Sequence, residues 1–490
     1  MKQSGILAID EGTTNSKAVL VSEVGTIIST GSASVPTYYP EPGWVEQNAN
    51  EIWAATCSAI ATCLEAAPDV EIAALGISSQ RESILIWDRK TGEPLGPVVT
   101  WQCRRTAAVC EALKQTGHEQ EVIARTGLPL DPLFPPTKVA WLLETHATGR
   151  AEADICVGTV DAWLIWKFSG GTVHTTDRSN AARTQLFNLA EGRWDASLCD
   201  LFGVSMSTLP RVHDSSHVFG ATQGTGIMPD GVPIASAIGD SHAALFGHGA
   251  FGKGDGKITF GTGSSMMTTI PEFIVPPDGI TTTIAWSLNG ISNFAFEGNI
   301  LVSASILPWT ATLLGHKDVG ELLDLAQSVD DTLGVALVPA HVGLGAPHWK
   351  SEARGLISGL SFSSGPAHLA RAAAESIAFQ VHDIYAIMSV AAKGIGRLFV
   401  DGGPSRNKFL MGLVADYLDH PVTPCRNSEA SAIGAAYLAG LATGVWADLE
   451  AVSRLTNHDK EIAPSMPQEK RSRGLANWNS AIARTIAEVV

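Results

Sequence analysis

One pattern restricts the fold of this chain more than any other: an apolar run, a Gly/Thr turn and a second apolar run. It occurs in residues 5–23 (GILAIDEGTTNSKAVLVSE) and again in residues 256–270 (GKITFGTGSSMMTTI). Short apolar runs bounded by turn residues predict β-strands. The pattern is a weak internal repeat, because it recurs in each half of the chain. It predicts two related domains that face a cleft, over residues 1–243 and residues 244–490.

Helical patterns and further strands follow each hairpin, which predicts an α/β fold with mixed sheets. Residues 50–66 carry apolar residues near helical spacing, and residues 72–80 (IAALGISSQ) predict another strand. Residues 396–418 predict a strand, a Gly-Gly turn and a helix. Residues 430–442 (ASAIGAAYLAGLA) predict a helix whose small residues allow close packing on another helix. A chain of 490 residues is too long for one ordinary core.

Composition and charge exclude several classes of protein. The formal net charge is −16, and so negative a surface repels nucleic-acid backbones and anionic lipid. No apolar stretch reaches the roughly 20 residues that span a bilayer, and the first apolar run is too short for a signal peptide. The seven cysteines are odd in number and include no CxxC pair, which favours a reducing compartment. We predict a cytoplasmic protein with no nucleic-acid or membrane partner.

The first turn carries side chains suited to binding phosphate and a metal ion. Gly12 allows a tight turn whose amides and hydroxyls can donate to phosphate oxygens, and Asp10 can hold Mg²⁺ through water. Lys17 can neutralise a transferring phosphoryl group. From the residues alone, a plain hairpin turn is an equally good interpretation, since Asp-x-Gly is common in such turns. The candidate ATP contacts here are Thr13, Thr14, Asn15 and Lys17.

Two more turns follow strands in the second half of the chain. The FGTGSS turn can place amides against the other side of a polyphosphate, with Gly261 and Thr262 as contacts. The DGGPSRN turn suits close backbone approach by a nucleotide, with Gly403 and Asn407 as contacts. None of the turns is a Walker A or a Rossmann motif. Three such turns across two halves are harder to explain by coincidence than one.

Together, the three turns resemble the phosphate 1, phosphate 2 and adenosine motifs of the actin, hexokinase and chaperone ATPase superfamily. Within it, residues 134–143 (FPPTKVAWLL) and residues 355–377 (GLISGLSFSSGPAHLARAAAESI) are similar to the two signatures of the FGGY carbohydrate kinases. The resemblance extends over essentially the whole chain. It implies two actin-like (ribonuclease H-like) ATPase domains with an interdomain cleft. It also implies ATP and Mg²⁺ as cofactors and a small polyol or sugar as the phosphoryl acceptor.

Further motifs resemble the glycerol kinases of this family. The segments are PGWVEQ from Pro42, SQRES from Ser79, WQCRRT from Trp101, GTVDAWLIWK from Gly158 and GLGAPHW from Gly343. The resemblance implies that Arg81, Glu82, Trp101 and Asp240 bind the acceptor, with Asp240 as the catalytic base. Carboxylates accept hydrogen bonds from hydroxyls, a guanidinium donates them, and an indole covers the carbon skeleton.

The residues alone favour different interpretations of the same side chains. Trp101 is then a core aromatic residue, and Arg81 with Glu82 is a solvated pair. Asp240 precedes an apolar helical run, so it is equally a turn residue that caps a helix. The presence of three phosphate-type turns favours the interpretation of Asp240 as the catalytic base.

At three positions that line the acceptor pocket in this family, the chain departs from the glycerol kinases. Leu133 replaces a Tyr, Ser241 a Gln and Ser265 a Phe. Each replacement is smaller, which leaves room for a longer polyol or a sugar. Pro308 replaces a Gln near the adenine, so the resemblance leaves the contacts on that side open.

The predicted reaction transfers the γ-phosphoryl group of ATP to a hydroxyl of a small polyol or sugar, with Asp240 taking the proton. Three hypotheses compete. The first is a glycerol kinase-like enzyme, and the second is an FGGY kinase for a tetritol, pentitol or ketopentose. The third is an actin-like ATPase that acts as a chaperone or assembly protein. The sequence leaves open whether the chain forms a homo-oligomer, such as a dimer or tetramer.

Overall fold

Two six-stranded mixed sheets, one in each half of the chain, organise the fold. The computed structural model describes residues 4–426 and 429–487. The strands and helices of the first half are β1 (Ser4–Glu11), β2 (Asn15–Ser22), β3 (Ile27–Ser34), β4 (Glu46–Gln47), α1 (Ala49–Glu65), β5 (Glu71–Ser79), β6 (Ile84–Asp88), β7 (Val98–Val99), α2 (Ala107–Gln115), α3 (Glu119–Thr126), α4 (Pro136–His146), β8 (Ile155–Thr159), α5 (Val160–Phe168), β9 (Thr175–Asp177), α6 (Arg178–Ala181), β10 (Phe187–Asn188), β11 (Arg193–Trp194), α7 (Ala196–Phe202), β12 (Arg211–His213), β13 (Ser216–Ala221), β14 (Pro233–Gly239) and α8 (Asp240–Gly247). Those of the second half are β15 (Gly256–Phe260), β16 (Ser264–Ile270), β17 (Thr281–Leu288), β18 (Ile291–Ile300), α9 (Ile306–Leu313), α10 (Val319–Gln327), β19 (Ala336–Val338), β20 (Leu356–Ser358), α11 (Pro366–Ala391), β21 (Leu398–Asp401), α12 (Lys408–Leu418), β22 (Thr423–Pro424), α13 (Ala430–Thr443), α14 (Leu449–Ser453) and α15 (Gln468–Ala487).

The two sheets are built in the same way around a hairpin. In the first sheet, β1 pairs antiparallel with β2 and parallel with β5. In the second, β15 pairs antiparallel with β16 and parallel with β21. The complete strand orders are β13-β14-β5-β1-β2-β3 and β17-β18-β16-β15-β21-β22. The predicted α/β class and the repeated strand–turn–strand pattern are therefore confirmed.

The helix predicted from small residues is α13, and it joins the two halves. It belongs to the second half but packs against β1, β5 and β14 of the first sheet and against α8. A Cβ atom on Gly434 would lie 1.9 Å from the Ala243 oxygen of α8, so only glycine fits there. Ser236 Oγ donates to the Ala435 oxygen at 2.7 Å. Hydrophobic residues of both halves thus share one core around α8 and α13.

Asp161, on α5, is a buried carboxyl group whose ionisation opposes folding. It accepts hydrogen bonds from Thr159 Oγ1 (2.5 Å) and Thr176 Oγ1 (2.6 Å). Burial, helped by the charge of Asp177, nevertheless raises its pKa from 3.8 to about 7. Between these two pH values the folded chain keeps a proton that the unfolded chain loses. The free energy of unfolding therefore falls as pH rises through this window.

We expect Asp161→Asn to flatten this part of the pH profile, because an amide cannot ionise. Relative to the variant, the wild-type free energy of unfolding should fall by up to about 1.4 kcal/mol per pH unit between about pH 4 and 7. Above that range the difference should level off. Urea unfolding at each pH measures it. Asp10 and Glu11, whose pKa values burial also raises, contribute equally to both proteins. If the free energy of unfolding changed with pH in the same way in both proteins, the raised pKa could not belong to Asp161.

Within residues 4–426 and 429–487, no helix combines the length and the apolar character needed to span a membrane.

All seven cysteines lie in these ranges and carry free thiols. Burial raises the pKa of Cys156 and Cys199 to about 11, so these two thiols stay protonated near neutral pH.

Candidate active site

A cleft of about 460 Å³ lies where the carboxyl ends of the central strands from the two sheets meet. In α/β folds, ligands commonly bind at the carboxyl ends of parallel strands. The first sheet contributes residues at the ends of β1, β5 and β14, and the second contributes residues of β15 and β21. The predicted site residues that line this cleft are Asp10, Arg81, Asp240, Ser241 and Gly403.

Asp10 is near the end of β1, directly across the sheet from Lys17 on β2 and Ser78 on β5. Ser78 Oγ donates to its Oδ1 at 2.9 Å. Burial, reinforced by the charge of Asp240, raises the pKa of Asp10 to about 7. A divalent cation would relieve the repulsion between these two carboxylates. In kinase sites Mg²⁺ is commonly bound by one or two carboxylates plus phosphates and water, and Asp10, the residue predicted to hold Mg²⁺, is a carboxylate that lines the cleft.

A metal ion held by protein groups alone needs several ligand side chains close together. Among the residues that the structure describes, His, Cys, Asp and Glu side chains form no cluster of three that could hold a metal ion.

Asp240 is the first residue of α8, and its carboxylate faces the cleft. Its side chain is 39% exposed, and Oδ1 lies 3.3 Å from Arg81 Nε. Oδ1 also accepts from the Ser241 amide at 2.5 Å. Desolvation by the surrounding protein raises the pKa of Asp240, and this effect exceeds the opposing effect of the nearby Arg81 charge. The cap position of α8 is occupied by Gly239, so Asp240 is not the helix cap that the residues alone allow.

A chain of buried ion pairs runs behind Asp240 and fixes the predicted acceptor residues. Arg81 Nη1 lies 2.8 Å from Glu297 Oε1, and Arg183 Nη1 lies 2.9 Å from Glu297 Oε2. Arg183 Nε donates to Glu82 Oε1 at 2.6 Å. Burial raises the pKa of Glu297, but Arg183 and Arg81 outweigh it and hold that pKa at about 2. Arg81 and Glu82 are therefore parts of a buried network and not a solvated pair.

Glu297 and Arg183 are not among the site residues predicted from the sequence, although the sequence around Glu297 contains a signal of a buried, paired charge. Glu297 is the one charged residue of strand β18, and a charged residue in a sheet is rarely buried unless it is paired. Arg183 follows α6 without any comparable pattern. Their partners lie about 100 residues or more away in the sequence, so only the fold brings them together.

Glu82 and Trp101 stand on two neighbouring turns. Glu82 has a φ of 60°, a conformation that costs energy for a residue other than glycine and that often marks functional sites. The Trp101 amide donates to Ser83 Oγ at 3.2 Å, and its indole Nε1 donates to Thr13 Oγ1 at 2.9 Å. The side chain is 36% exposed, so Trp101 is not a core aromatic residue. The predicted acceptor turn and the predicted phosphate turn are thus in direct contact.

Two lysines lie close to Asp10, the predicted metal ligand, and Asp240, the predicted base. Lys17 is beside Asp10 but pairs with Glu429 Oε2 at 2.8 Å, with 37% of its side chain exposed. Lys257 on β15 lines the cleft, where its Nζ donates to Ser241 Oγ at 3.0 Å and to Thr259 Oγ1 at 2.6 Å. Lys257 is not among the residues that the sequence predicts for the site. Its signal was a lysine within the short apolar strand that leads into the FGTGSS turn.

Leu133 and Ser265, like Ser241, are residues that the resemblance places in the lining of the acceptor pocket. Ser265 on β16 is the cross-strand neighbour of Thr259, so both side chains lie on the cleft face of the sheet. The Leu133 oxygen accepts from Lys138 Nζ at 2.8 Å. Neither Leu133 nor Ser265 is among the described residues that line the cleft.

The remaining predicted ATP contacts lie on the turns around the cleft. In the second turn, the Gly261 amide donates to the Gly263 oxygen at 2.8 Å, and Thr262 is exposed. In the third, Gly402 has a φ of 89°, and a Cβ atom there would lie 1.9 Å from the Phe260 oxygen, so glycine is required. Asn407 Oδ1 caps α12 by accepting from the Leu410 amide at 2.9 Å. Thr14 and Asn15 are exposed on the first turn.

Known proteins share the sequence and the fold of this chain. The N-terminal domain of the FGGY family of carbohydrate kinases matches residues 5–247, and its C-terminal domain matches residues 256–443. The chain is 44% identical to apulose kinase of Pectobacterium atrosepticum over 98% of both chains. It is 42% identical to glycerol kinase of Bacillus velezensis over 98% of this chain and 99% of that one. The crystal structure of Plasmodium falciparum glycerol kinase with ADP matches with a TM-score of 0.94 at 29% identity, covering 99% of this chain and 98% of that one.

Proposed function

Because the chain belongs to the FGGY family of carbohydrate kinases, we propose that Asp240 is its catalytic base and that its acceptor is larger than glycerol. The chain has the two-domain, actin-like fold of that family and is an ATP-dependent sugar or polyol kinase. The observation that carries the proposal is the position of Asp240. It faces the cleft beside Arg81 and shares that cleft with Asp10.

In the proposed mechanism, the Asp240 carboxylate accepts the proton of an acceptor hydroxyl. The oxygen forms a bond to the γ-phosphorus, the bond from that phosphorus to the bridging oxygen breaks, and ADP leaves. Arg81 and Glu82 bind other hydroxyls, and the exposed face of Trp101 covers the carbon skeleton. The buried ion pairs hold Arg81 and Glu82 in place before the acceptor arrives, which preorganises the site. Lys257 adds positive charge beside the base.

ATP and Mg²⁺ are assigned to the turns around the cleft. The proposed ATP contacts are Thr13, Thr14, Asn15, Lys17, Gly261, Thr262, Gly403 and Asn407, with the adenine side near Pro308 undefined. Asp10 would hold Mg²⁺ through water, and the bound ion would supply charge neutralisation on the phosphates. Asp10 is the protein ligand in this arrangement, and the nearby charge of Asp240, which helps to raise the pKa of Asp10, favours a cation there.

The acceptor class is inferred from three small or aliphatic side chains. Ser241 lines the cleft, and Ser265 is the cross-strand neighbour of the cleft residue Thr259. Both residues, like Leu133 before α4, are smaller than the residues that the resemblance to glycerol kinases implies there, and a pocket with more space admits a longer substrate. The similarity to apulose kinase, a relative named for an acceptor other than glycerol, agrees with this inference. Glycerol remains the second candidate, because the chain is also 42% identical to a glycerol kinase.

A coupled assay of ADP release across glycerol, tetritols, pentitols and ketopentoses tests the acceptor class. We expect a tetritol, pentitol or ketopentose to give the highest kcat/KM. Filling the pocket with Ser265→Phe and Leu133→Tyr together should shift the ratio of kcat/KM values towards glycerol by roughly tenfold or more. The same Ser→Phe change at the exposed Ser363 is the control and should leave the ratio unchanged.

Two results would contradict this proposal. If the wild-type protein strongly preferred glycerol, the argument for a larger acceptor would be wrong. If ATP turnover did not respond to any polyol or sugar, a chaperone-like or assembly ATPase would gain support.

We also propose a division into residues 1–243 and 244–490, which assigns Asp240 and Lys257 to different domains. The cytoplasm is the proposed compartment, supported by free thiols at all seven cysteines. A homo-oligomer is a further proposal, which the mass of the native protein in solution would test.

A further inference from the structure

Lys138, on α4, is a fully buried cation that the mechanism above does not use. Its Nζ donates to the backbone oxygens of Glu82 at 3.4 Å, Thr100 at 3.1 Å and Leu133 at 2.8 Å. A lysine ammonium group has three N–H donors, so these contacts account for all of them. The three acceptors belong to separate segments: the turn after β5, the turn after β7 and the loop before α4.

Each of these segments carries a residue of the proposed acceptor site. Glu82 and Leu133 are themselves such residues, and Thr100 directly precedes Trp101. We propose that Lys138 is a positioning residue for the acceptor, whose ammonium group fixes the three acceptor-binding segments relative to one another. This inference rests on the proposed function, because it takes the acceptor site to be where these segments meet.

The chemistry of the contact supports a positioning role. Burying an ammonium group is costly unless its donors are satisfied, and three carbonyl oxygens satisfy them here. Burial lowers the pKa of Lys138 to about 8, so the group is protonated and has all three donors at neutral pH. Glu82, whose φ of 60° needs support, is held at two points. Lys138 contacts its oxygen, and Arg183 contacts its carboxylate at 2.6 Å.

The same helix also anchors the turn after β7 at a second point. Trp141, one turn after Lys138, packs against the guanidinium of Arg105, whose carbon lies 4.3 Å from the ring centroid. Trp44 covers the same guanidinium at 4.0 Å, and Glu46 Oε1 accepts from Arg105 Nη2 at 2.7 Å. Arg105 follows Trp101 by four residues. Helix α4 therefore contacts the acceptor-binding turn through both Lys138 and Trp141.

Steady-state kinetics of Lys138→Met test the proposal, because methionine keeps much of the side-chain volume and removes the three donors. With the best acceptor of the wild-type protein, we expect the acceptor KM to rise roughly tenfold or more. The KM for ATP should change by less than about twofold. The ratio of ADP released to acceptor phosphorylated should also rise, because loosened segments admit water. Lys138→Gln keeps two donors and should give intermediate values. It replaces the methionine variant if that protein does not fold.

The matched control is Lys167→Met on α5. The Lys167 Nζ lies over Trp53 and Trp163, at 5.5 and 5.3 Å from the ring centroids, so this change also alters lysine packing in the first half of the chain. It should leave both KM values and the product ratio unchanged. If Lys138→Met only lowers the melting temperature or kcat, with the acceptor KM and the product ratio unchanged, the positioning role is wrong.

Two further variants separate this proposal from the proposed function. Glu82→Gln and Trp101→Ala remove groups that are proposed to touch the acceptor. If both raise the acceptor KM while Lys138→Met does not, only the positioning role fails. If neither variant changes it, the proposed acceptor site fails as well.

Discussion

Replacing Asp240 with asparagine should lower kcat by a factor of roughly 10²–10⁴, the usual contribution of a general base. The amide keeps the size of the carboxylate and can still contact Arg81, but it cannot accept the proton of an acceptor hydroxyl. ATP binding should survive, because the proposed nucleotide contacts are on other turns. Coupled ADP release measures kcat, and calorimetric titration with ATP measures the binding constant.

The control for this prediction is the same chemical change at a distant helix start. Asp318 caps α10 by accepting from the Glu321 amide at 3.0 Å, and asparagine is an equally good cap. Asp318→Asn should therefore match the wild-type protein in rate and stability. Near-normal turnover in Asp240→Asn would overturn its assignment as the base.

The second large effect is expected at Glu297. Glu297→Ala should reduce the free energy of unfolding by about 3–5 kcal/mol, the typical cost of removing one partner from a buried ion pair. The reason is that Arg81 and Arg183, both largely buried, would lose the carboxylate between them. Urea unfolding followed by tryptophan fluorescence measures the loss. The acceptor KM should rise in the folded fraction, since Arg81 and Glu82 would no longer be held in place.

An exposed ion pair provides the comparison. Glu450 on α14 pairs with Arg454 just after that helix, with 76% and 70% of the two side chains exposed. Glu450→Ala should cost at most about 1 kcal/mol, as exposed pairs usually do. If Glu297→Ala cost no more than this control, the buried network would not be a major source of stability.

The hairpins, the α/β class and the position of α13 could be predicted from the sequence, because each depends on local patterns. Short apolar runs bounded by turn residues mark β1, β2, β15 and β16. The run of small residues in α13 predicts close helix packing, which Gly434 provides. These features need no knowledge of distant partners.

The electrostatic parts of the site could not be predicted in the same way. Glu82 and Arg183 are 101 positions apart in the sequence, and no local pattern connects them. The two lysines illustrate the same limit. Lys17 stands in the turn motif and attracts attention, yet Lys257 is the lysine that lines the cleft. Which cation faces the base depends on strand register and sheet order, and these emerge only in the fold.

The hydrogen bond from Trp101 Nε1 to Thr13 Oγ1 has a consequence for how the two substrates bind. It joins the turn that would contact the acceptor to the turn that would contact ATP. If one ligand tightens this bond, it raises the affinity for the other by some factor, and linkage requires the reverse effect to be equal. In that case each substrate would be an effector of the other's site, and acceptor and nucleotide would bind synergistically through one side-chain contact.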